Sequence, residues 1–312
     1  MGKDHLNNNP LLPFTASLYH KFDDHNYYVC GIVFLHDNNT LVTGSCDQKI
    51  HIYDLKSKKR KNMIDAHEAE IFCMDLSPCG RYMVTGSNDT KIKFWDTWNQ
   101  FQLVRTIEDH KDYVHSVMIS PNGAYLASGS GDGRVGLFDF HSGKNIWFQK
   151  IFEDPVFAVA FSWDSFVLAA GGADMQATVW QLSNQKKLVT LKSHTANIVA
   201  VRFSLDNKYL FTGGHDKSVK MWLCRDWSFV KEFKKHTNGI YVIRQHHRWP
   251  YLLFTAGADG VVNIFNINTG EWIGSLEAKE SNIRSMNFSP NGEFLAIGTH
   301  SNKTIIWKLE NR

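Results

Sequence analysis

Three residue types associated with nucleophilic catalysis recur along the chain at a fixed spacing. His67, Thr85 and Asp89 combine an imidazole, a hydroxyl and a carboxylate, the groups that activate the nucleophile of many hydrolases. The same types return at the same spacing as His194, Thr212 and Asp216. A hydrolase needs one nucleophile in one active site, so a copied set predicts a structural role. We therefore expect that the protein is not an enzyme.

Two further stretches contain residue types that bind phosphate or metal. Gly129, Gly131 and Gly133 resemble a phosphate-binding loop, but such a loop leads from a strand into the N-terminus of a helix. No helical pattern follows them, so a turn between strands is the better interpretation. His246 and His247 are metal-ligand types, but adjacent strand residues point apart and no third ligand is suitably spaced. We expect no metal and no cofactor.

The elements that position these residues are repeats. The stretch GSNDTKIKFWD, residues 86–96, returns in similar form at residues 129–139 and 213–223. A turn residue recurs every 42 or 43 residues, at Asp47, Asp89, Asp132, Asp174, Asp216, Asp259 and Ser301. An aromatic residue follows six positions after each, at Tyr53, Trp95, Phe138, Trp180, Trp222, Phe265 and Trp307. Seven copies of one unit therefore make up nearly the whole chain.

Each unit has the pattern of four short antiparallel strands. Residues 41–54, LVTGSCDQKIHIYD, alternate with a period of two, and turn sequences such as Ser77-Pro78-Cys79-Gly80 separate the strands. No long amphipathic helical pattern interrupts the series. The predicted fold class is therefore all-β.

The repeat resembles the WD-repeat (β-transducin repeat) family, because its period, its Trp95-Asp96 dipeptide and its histidines match that family's pattern. The resemblance implies a seven-bladed β-propeller around a channel. The last unit stops after its third strand, whereas residues 15–22 precede the first complete unit. We expect residues 15–22 to supply the missing outer strand and close the ring, with residues 1–14 as a flexible tail and residues 15–312 as one propeller.

The resemblance also implies one hydrogen-bonded set in each blade. The complete sets are His67, Thr85, Asp89 and Trp95, and His194, Thr212, Asp216 and Trp222. Two blades depart most from the pattern, the fourth with Phe152 and Ala170 and the seventh with Lys279 and Ile297. Such departures reflect either drift, which we favour, or a site relaxed for a partner.

Composition narrows the classes of partner. The net charge is +3 and 21% of residues are charged, a balance that disfavours a dedicated nucleic-acid binder. The basic run at residues 56–61 is interpreted as a solvated loop, with a targeting signal or an acidic-partner contact as alternatives. Five cysteines, an odd number without a C-x-x-C pair, favour reduced thiols. We expect no membrane span and a cytoplasmic location, with the nucleus or cilium as alternatives.

The expected function is that of a non-catalytic scaffold, an adapter or subunit of a multiprotein complex that contains one copy of the propeller and binds proteins or peptides. The alternatives are a constitutive subunit of a cytoskeletal, ciliary or ribosome-associated assembly, and an enzyme with a site at the channel. The resemblance places partner-binding residues on the face of the entry loops: Tyr28, Glu70, Phe72, Tyr113, His115, Phe157, Tyr241 and Arg284. On the opposite face we expect Arg248 and Trp249 to form an exposed contact.

Overall fold

The structure, a computed structural model, describes residues 11–280 and 282–312, which form twenty-eight β-strands. The first strand, β1, is Phe14–Phe22. Blade one contains β2 Val29–Phe34, β3 Thr40–Ser45, β4 Lys49–Asp54 and β5 Lys59–Asp65. Blade two contains β6 Ile71–Leu76, β7 Tyr82–Ser87, β8 Ile92–Asp96 and β9 Gln102–Ile107. Blade three contains β10 Val114–Ile119, β11 Tyr125–Ser130, β12 Arg134–Asp139 and β13 Asn145–Lys150.

The remaining blades follow the same order. Blade four contains β14 Val156–Phe161, β15 Val167–Gly172, β16 Gln176–Gln181 and β17 Lys187–Lys192. Blade five contains β18 Ile198–Phe203, β19 Tyr209–Gly214, β20 Ser218–Leu223 and β21 Ser228–Lys234. Blade six contains β22 Ile240–His246, β23 Trp249–Gly257, β24 Val261–Asn266 and β25 Trp272–Glu277. Blade seven contains β26 Ile283–Phe288, β27 Phe294–Thr299 and β28 Thr304–Asn311, followed by β1 at its outer edge.

Each blade is a four-stranded antiparallel sheet that runs from the centre of the ring to its rim. The middle strands are buried on both faces because neighbouring blades cover them, as in β7, where five of six residues are buried. Outer strands carry polar residues, as in β5, where six of seven residues are exposed. The first strand of blade one packs against those of blades two and seven, so the sheets form a closed ring. The predicted seven-bladed propeller is confirmed.

The N-terminal strand closes the ring as predicted. β1 pairs with β28 from Phe14 opposite Asn311 to Phe22 opposite Thr304, with an irregularity between Leu18 and His20. Without β1 the outer edge of blade seven would be β28; with it, each blade has four strands and ends in one edge strand at the rim. The strand therefore joins the two ends of the chain in one blade.

The propeller begins before residue 15, the first residue that the sequence assigned to it. Residues 1–10 lie outside the described residues, but Leu12 and Phe14 are each only 1% exposed. Both belong to an apolar cluster that continues through blades six and seven. Residues 12–14 are therefore part of the propeller, because their apolar side chains complete the core between these blades.

The alternating strand direction defines two faces. Turns between second and third strands, and the loops that enter each first strand, lie on one face, which we call the mouth face. The other turns lie on the opposite face. None of the described residues forms a helix that could cross a membrane.

Candidate functional site

In blade two a chain of hydrogen bonds links the strands β7 and β8 to the loop that enters β6 and to the turn between β7 and β8. The indole Nε1–H of Trp95 donates to Thr85 Oγ1 at 2.9 Å, and Thr85 donates to His67 Nε2 at 2.7 Å. Nδ1–H of His67 then donates to the Asp89 carboxylate at 2.8 Å. A carboxylate only accepts, so the proton of His67 is on Nδ1, and burial lowers the pKa of His67, so its Nε2 is unprotonated and accepts from Thr85.

Four other blades contain the same arrangement in full or in part. Blade five has the whole chain, through Trp222, Thr212, His194 and Asp216. Blades one, three and six have the histidine, hydroxyl and aspartate, as His25, Thr43 and Asp47; His110, Ser128 and Asp132; and His236, Thr255 and Asp259. Buried polar groups that satisfy one another in this way stabilise the strands that carry them. Every hydroxyl in these sets is already bonded to its histidine, and none of these residues lines the central cavity.

The pKa values of the turn aspartates reflect the presence of the histidine. Burial opposes ionisation of Asp89, but the hydrogen bond and charge of His67, together with the backbone N–H groups of Lys91 and Glu68, outweigh it and the pKa falls to about 2. Blade four has Phe152 in place of the histidine, and there burial raises the pKa of Asp174. The histidine therefore stabilises the charged form of its aspartate.

Blade seven replaces the set with a carboxylate that the sequence interpretation missed. Glu280, one position after Lys279, accepts hydrogen bonds from Ser301 at 3.0 Å and from Lys303 at 2.9 Å. It also accepts one from Lys21 of β1 at 3.2 Å. Its side chain is 12% exposed, so these bonds lie largely out of water. Glu280 therefore ties the closing strand to blade seven.

One group of potential metal ligands lies close together in the part of the chain that the structure describes. The ligand atoms of His25, Asp47 and His51 lie within 4.8 Å of one another. The two imidazole rings are stacked at 3.8 Å with their planes 7° apart, so their in-plane lone pairs run parallel and do not meet at one ion. Both nitrogens of His25 are already bonded to Asp47 and Thr43. This geometry fits a hydrogen-bonded set better than a metal centre.

The central channel contains a cavity of about 470 Å³. At its mouth the first strand of each blade contributes one residue: Cys30, Phe72, His115, Phe157, Val199, Tyr241 and Arg284. We call these seven residues the mouth ring. Five of them were among the partner-binding residues expected from the sequence. The other three expected on this face, Tyr28, Glu70 and Tyr113, lie two positions earlier in their blades and do not line the cavity.

Much of the mouth ring is a continuous aromatic wall. The rings of Phe72 and His115 are 5.4 Å apart between centroids, and those of His115 and Phe157 are 5.0 Å apart. On the other side, the guanidinium of Arg284 lies over the ring of Tyr241 at 4.5 Å. Each of these side chains is held by a neighbour, so the mouth is shaped before any partner arrives.

The charge at the mouth comes from Arg284. Burial lowers the pKa of His115 to about 4, with Asp112 opposing and Arg284 contributing. Burial and then Arg284 lower the pKa of His300 to about 4. Both imidazoles are therefore neutral near pH 7, whereas a guanidinium keeps its proton. Also on the mouth face, the carboxylate of Glu70 accepts a hydrogen bond from Asn88 at 2.7 Å.

The opposite face requires one correction. Arg248 is exposed as expected, but Trp249 is only 8% exposed. Its ring stacks on Phe14 at 4.7 Å and on His246 at 4.3 Å. The expectation of an exposed Trp249 is wrong because the closing strand covers this large apolar ring.

Other features of this face were not recognised in the sequence. Trp163 and Phe166, on the turn between β14 and β15, are 49% and 70% exposed. A signal was present, since Trp163 occupies the position of the proline in the usual Ser-Pro-x-Gly turn. The basic run at residues 56–61 is solvent-exposed as expected but is not all loop, because residues 59–61 belong to strand β5, where Lys61 pairs with Asp54 at 2.8 Å.

Comparison with known proteins identifies relatives of this chain. Coatomer subunit beta'-2 of Arabidopsis thaliana is 35% identical over 92 residues, 28% of this chain and 10% of that protein. WD repeat-containing protein 3 of Homo sapiens is 38% identical over 79 residues, 25% of this chain and 8% of that protein. Mitotic checkpoint protein bub3 of Dictyostelium discoideum is 27% identical over 112 residues, 31% of this chain and 34% of that protein. The matches span at most about a third of these relatives' lengths.

The family comparison covers most of the chain. The family model described as WD domain, G-beta repeat matches residues 16–54, 58–96, 101–139, 147–181, 185–222 and 270–308. The unmatched residues 223–269 include β22 to β24 of blade six, where β23 is nine residues long instead of six. WD40 propellers act as scaffolds for protein interactions, and the coatomer relative is named as a subunit of a complex. The repeats and the ring of blades together show that this chain belongs to the WD40 family.

Proposed function

We propose that this protein is a non-catalytic scaffold, an adapter or subunit of a multiprotein complex, and that the mouth face binds its partners. The observation that carries the proposal is the aromatic wall of Phe72, His115 and Phe157 beside an open cavity of about 470 Å³. Aromatic side chains in preformed depressions supply much of the binding energy of protein interfaces.

The rest of the molecule supports a binding role. The hydroxyl, imidazole and carboxylate groups that resemble catalytic sets are engaged with one another in five blades. The rigid ring holds the mouth residues on seven separate strands, so a partner meets a fixed surface and few side chains must be ordered on binding. For the compartment we propose the cytoplasm, since the five cysteines are free thiols.

The double variant Phe72→Ala/Tyr241→Ala tests the mouth face. Proteins captured from cell extract by the parent and by the variant are compared by quantitative mass spectrometry. We expect the variant to lose at least one partner that the parent retains. Identical captured proteins at an unchanged melting temperature would contradict the proposal.

A matched control comes from the rim of the ring. Ile146 and Leu188 on outer strands are 44% and 40% exposed, so Ile146→Ala/Leu188→Ala also removes two accessible apolar side chains. We expect this control to keep the parent's partners. The same losses in both variants would indicate a general effect on solubility or folding instead of a site at the mouth.

A further inference from the structure

The channel cavity contains three arginines. Arg284 belongs to the mouth ring. Arg202 on β18 and Arg244 on β22 lie deeper in the channel, each three residues after the mouth-ring residue of its strand, Val199 and Tyr241. Each of the three is half-buried and lines the cavity. No aspartate or glutamate is among the described residues that line the cavity. Its lining is therefore cationic.

The only deep carboxylate near these arginines is Asp75, as far as the described residues show. It is too far from either arginine to form an ion pair and instead accepts a hydrogen bond from the Ile119 N–H at 2.8 Å. Its charge acts on both Arg202 and Arg244 at longer range. Three guanidinium groups thus face one carboxylate, an excess of positive charge inside the protein.

The arginines have few protein acceptors. Arg202 Nη1 donates to the Met118 sulfur at 3.1 Å, a weak acceptor, and Arg244 Nη1 donates to the Ile243 carbonyl at 2.9 Å. The Nε atom of Arg284 is buried and has no hydrogen-bond partner among the described residues. A guanidinium carries five N–H donors, so most of those in the cavity remain available to a ligand.

Enclosing these charges is unfavourable without a counter-charge. Burial lowers the pKa of Arg202, and burial followed by repulsion from Arg202 lowers that of Arg244. A guanidinium does not lose its proton in a protein. The unfavourable burial is therefore offset by an anion that accepts hydrogen bonds from the guanidinium. Carboxylates and phosphates match the fork of donors that arginine presents.

We propose that the channel cavity binds a compact anionic group, a carboxylate or phosphate, between Arg202, Arg244 and Arg284, delivered on an acidic segment of a partner protein. That the carrier is a partner segment rests on the function proposed above. The cavity volume supports a partner segment as the carrier. A cavity of about 470 Å³ is large enough for a whole small ligand, so a single inorganic anion would leave most of it empty. The same charges disfavour a lysine or arginine anchor, which the aromatic wall alone would accept.

Two probes test the site at constant ionic strength. The first is a fluorescently labelled peptide of alternating Gly and Glu, compared by anisotropy with the Gly and Gln version. The second is inorganic phosphate, followed by the melting temperature, since a ligand that binds only the folded state raises it. We expect the Glu peptide to bind, the Gln peptide to bind at least about tenfold more weakly, and phosphate to raise the melting temperature.

Arginine variants locate the binding. We expect Arg284→Gln and Arg244→Gln each to weaken the Glu peptide about tenfold or more, the loss typical of a hydrogen bond between charged groups. Arg244→Gln should not lower the melting temperature without ligand, because it removes an uncompensated charge. The control is Arg248→Gln, which removes the same charge from the opposite face and should leave both probes unaffected.

The outcomes separate this site from the scaffold function. A phosphate effect that needs Arg244 and Arg284, without peptide binding, would overturn the partner segment as the carrier. Binding of neither probe, or equal losses in Arg248→Gln, would overturn the anion site. The scaffold function is tested separately, by comparing the proteins captured by the Phe72→Ala/Tyr241→Ala variant with those captured by the parent, and that test uses neither probe.

Discussion

Replacing Thr85 by valine should reveal how much the hydrogen-bond chain of blade two stabilises the fold. Valine has the shape of threonine but can neither accept from the Trp95 indole nor donate to His67. Thr85 is fully buried, so no water reaches the two groups left behind. Each unsatisfied buried group costs about 1.5 kcal/mol, which gives about 3 kcal/mol for Thr85→Val.

The molecule offers a matched comparison in blade three. There Ser128 bonds His110 at 2.7 Å, but Phe138 takes the place of the tryptophan and has no donor. Ser128→Ala therefore leaves only one group unsatisfied and should cost about 1.5 kcal/mol. Thr212→Val in blade five should repeat the larger loss, because Trp222 donates to Thr212 at 3.0 Å.

Equilibrium urea unfolding of the three variants measures these differences, provided that the urea dependence of the free energy is unchanged. In a Trp95→Phe background, Thr85→Val should cost about 1.5 kcal/mol less than in the parent, because no indole donor is left unpaired. If Thr85→Val and Ser128→Ala cost the same, the indole does not depend on the hydroxyl and the proposed chain of bonds is incorrect.

Further predictions concern the closing strand and the charged groups. Deleting residues 1–24 should lower the melting temperature sharply, because β1 is lost; an unchanged value would contradict its role in closure. Phe14→Ala should cost about 3 to 5 kcal/mol in urea unfolding, as for other fully buried phenylalanines. Asp89 has a folded-state pKa of about 2 against an ordinary 3.8, so its contribution of about 2 kcal/mol is complete above about pH 5 and should be lost as the pH falls through 2 in urea titrations. Glu280→Gln should lower the melting temperature more than Glu310→Gln, an exposed control on β28.

The repeat made the fold predictable because each unit carries its own turn and strand signals. A residue such as Asp89 marks its turn locally, and the fixed period supplies the number of blades. Closure was also predictable, since the last unit lacks a strand and the segment before the first unit provides one. The start of the propeller was less well predicted, because Leu12 and Phe14 are buried only by contacts with the apolar cluster of blades six and seven.

Long-range neighbours explain what the sequence did not reveal. Trp249 looks like an exposed turn residue until Phe14, more than two hundred positions earlier, is placed on it. Arg202 and Arg244 appear as ordinary charges in alternating strands, and only the ring shows that they meet near the channel axis. Glu280 was missed because it stands one position after Lys279, the residue that occupies the place of the histidine in blade seven.

The pairing of β1 with β28 has a consequence for biosynthesis. Of the strands of the propeller, β1 is translated first and its partner β28 last, so blade seven cannot form until translation has passed Asn311. Through almost all of that time the apolar side chains of β1 have no native neighbour, a state that favours aggregation or binding by chaperones. The segment that finally locks the propeller is thus the one that must be kept apart longest while the chain is made.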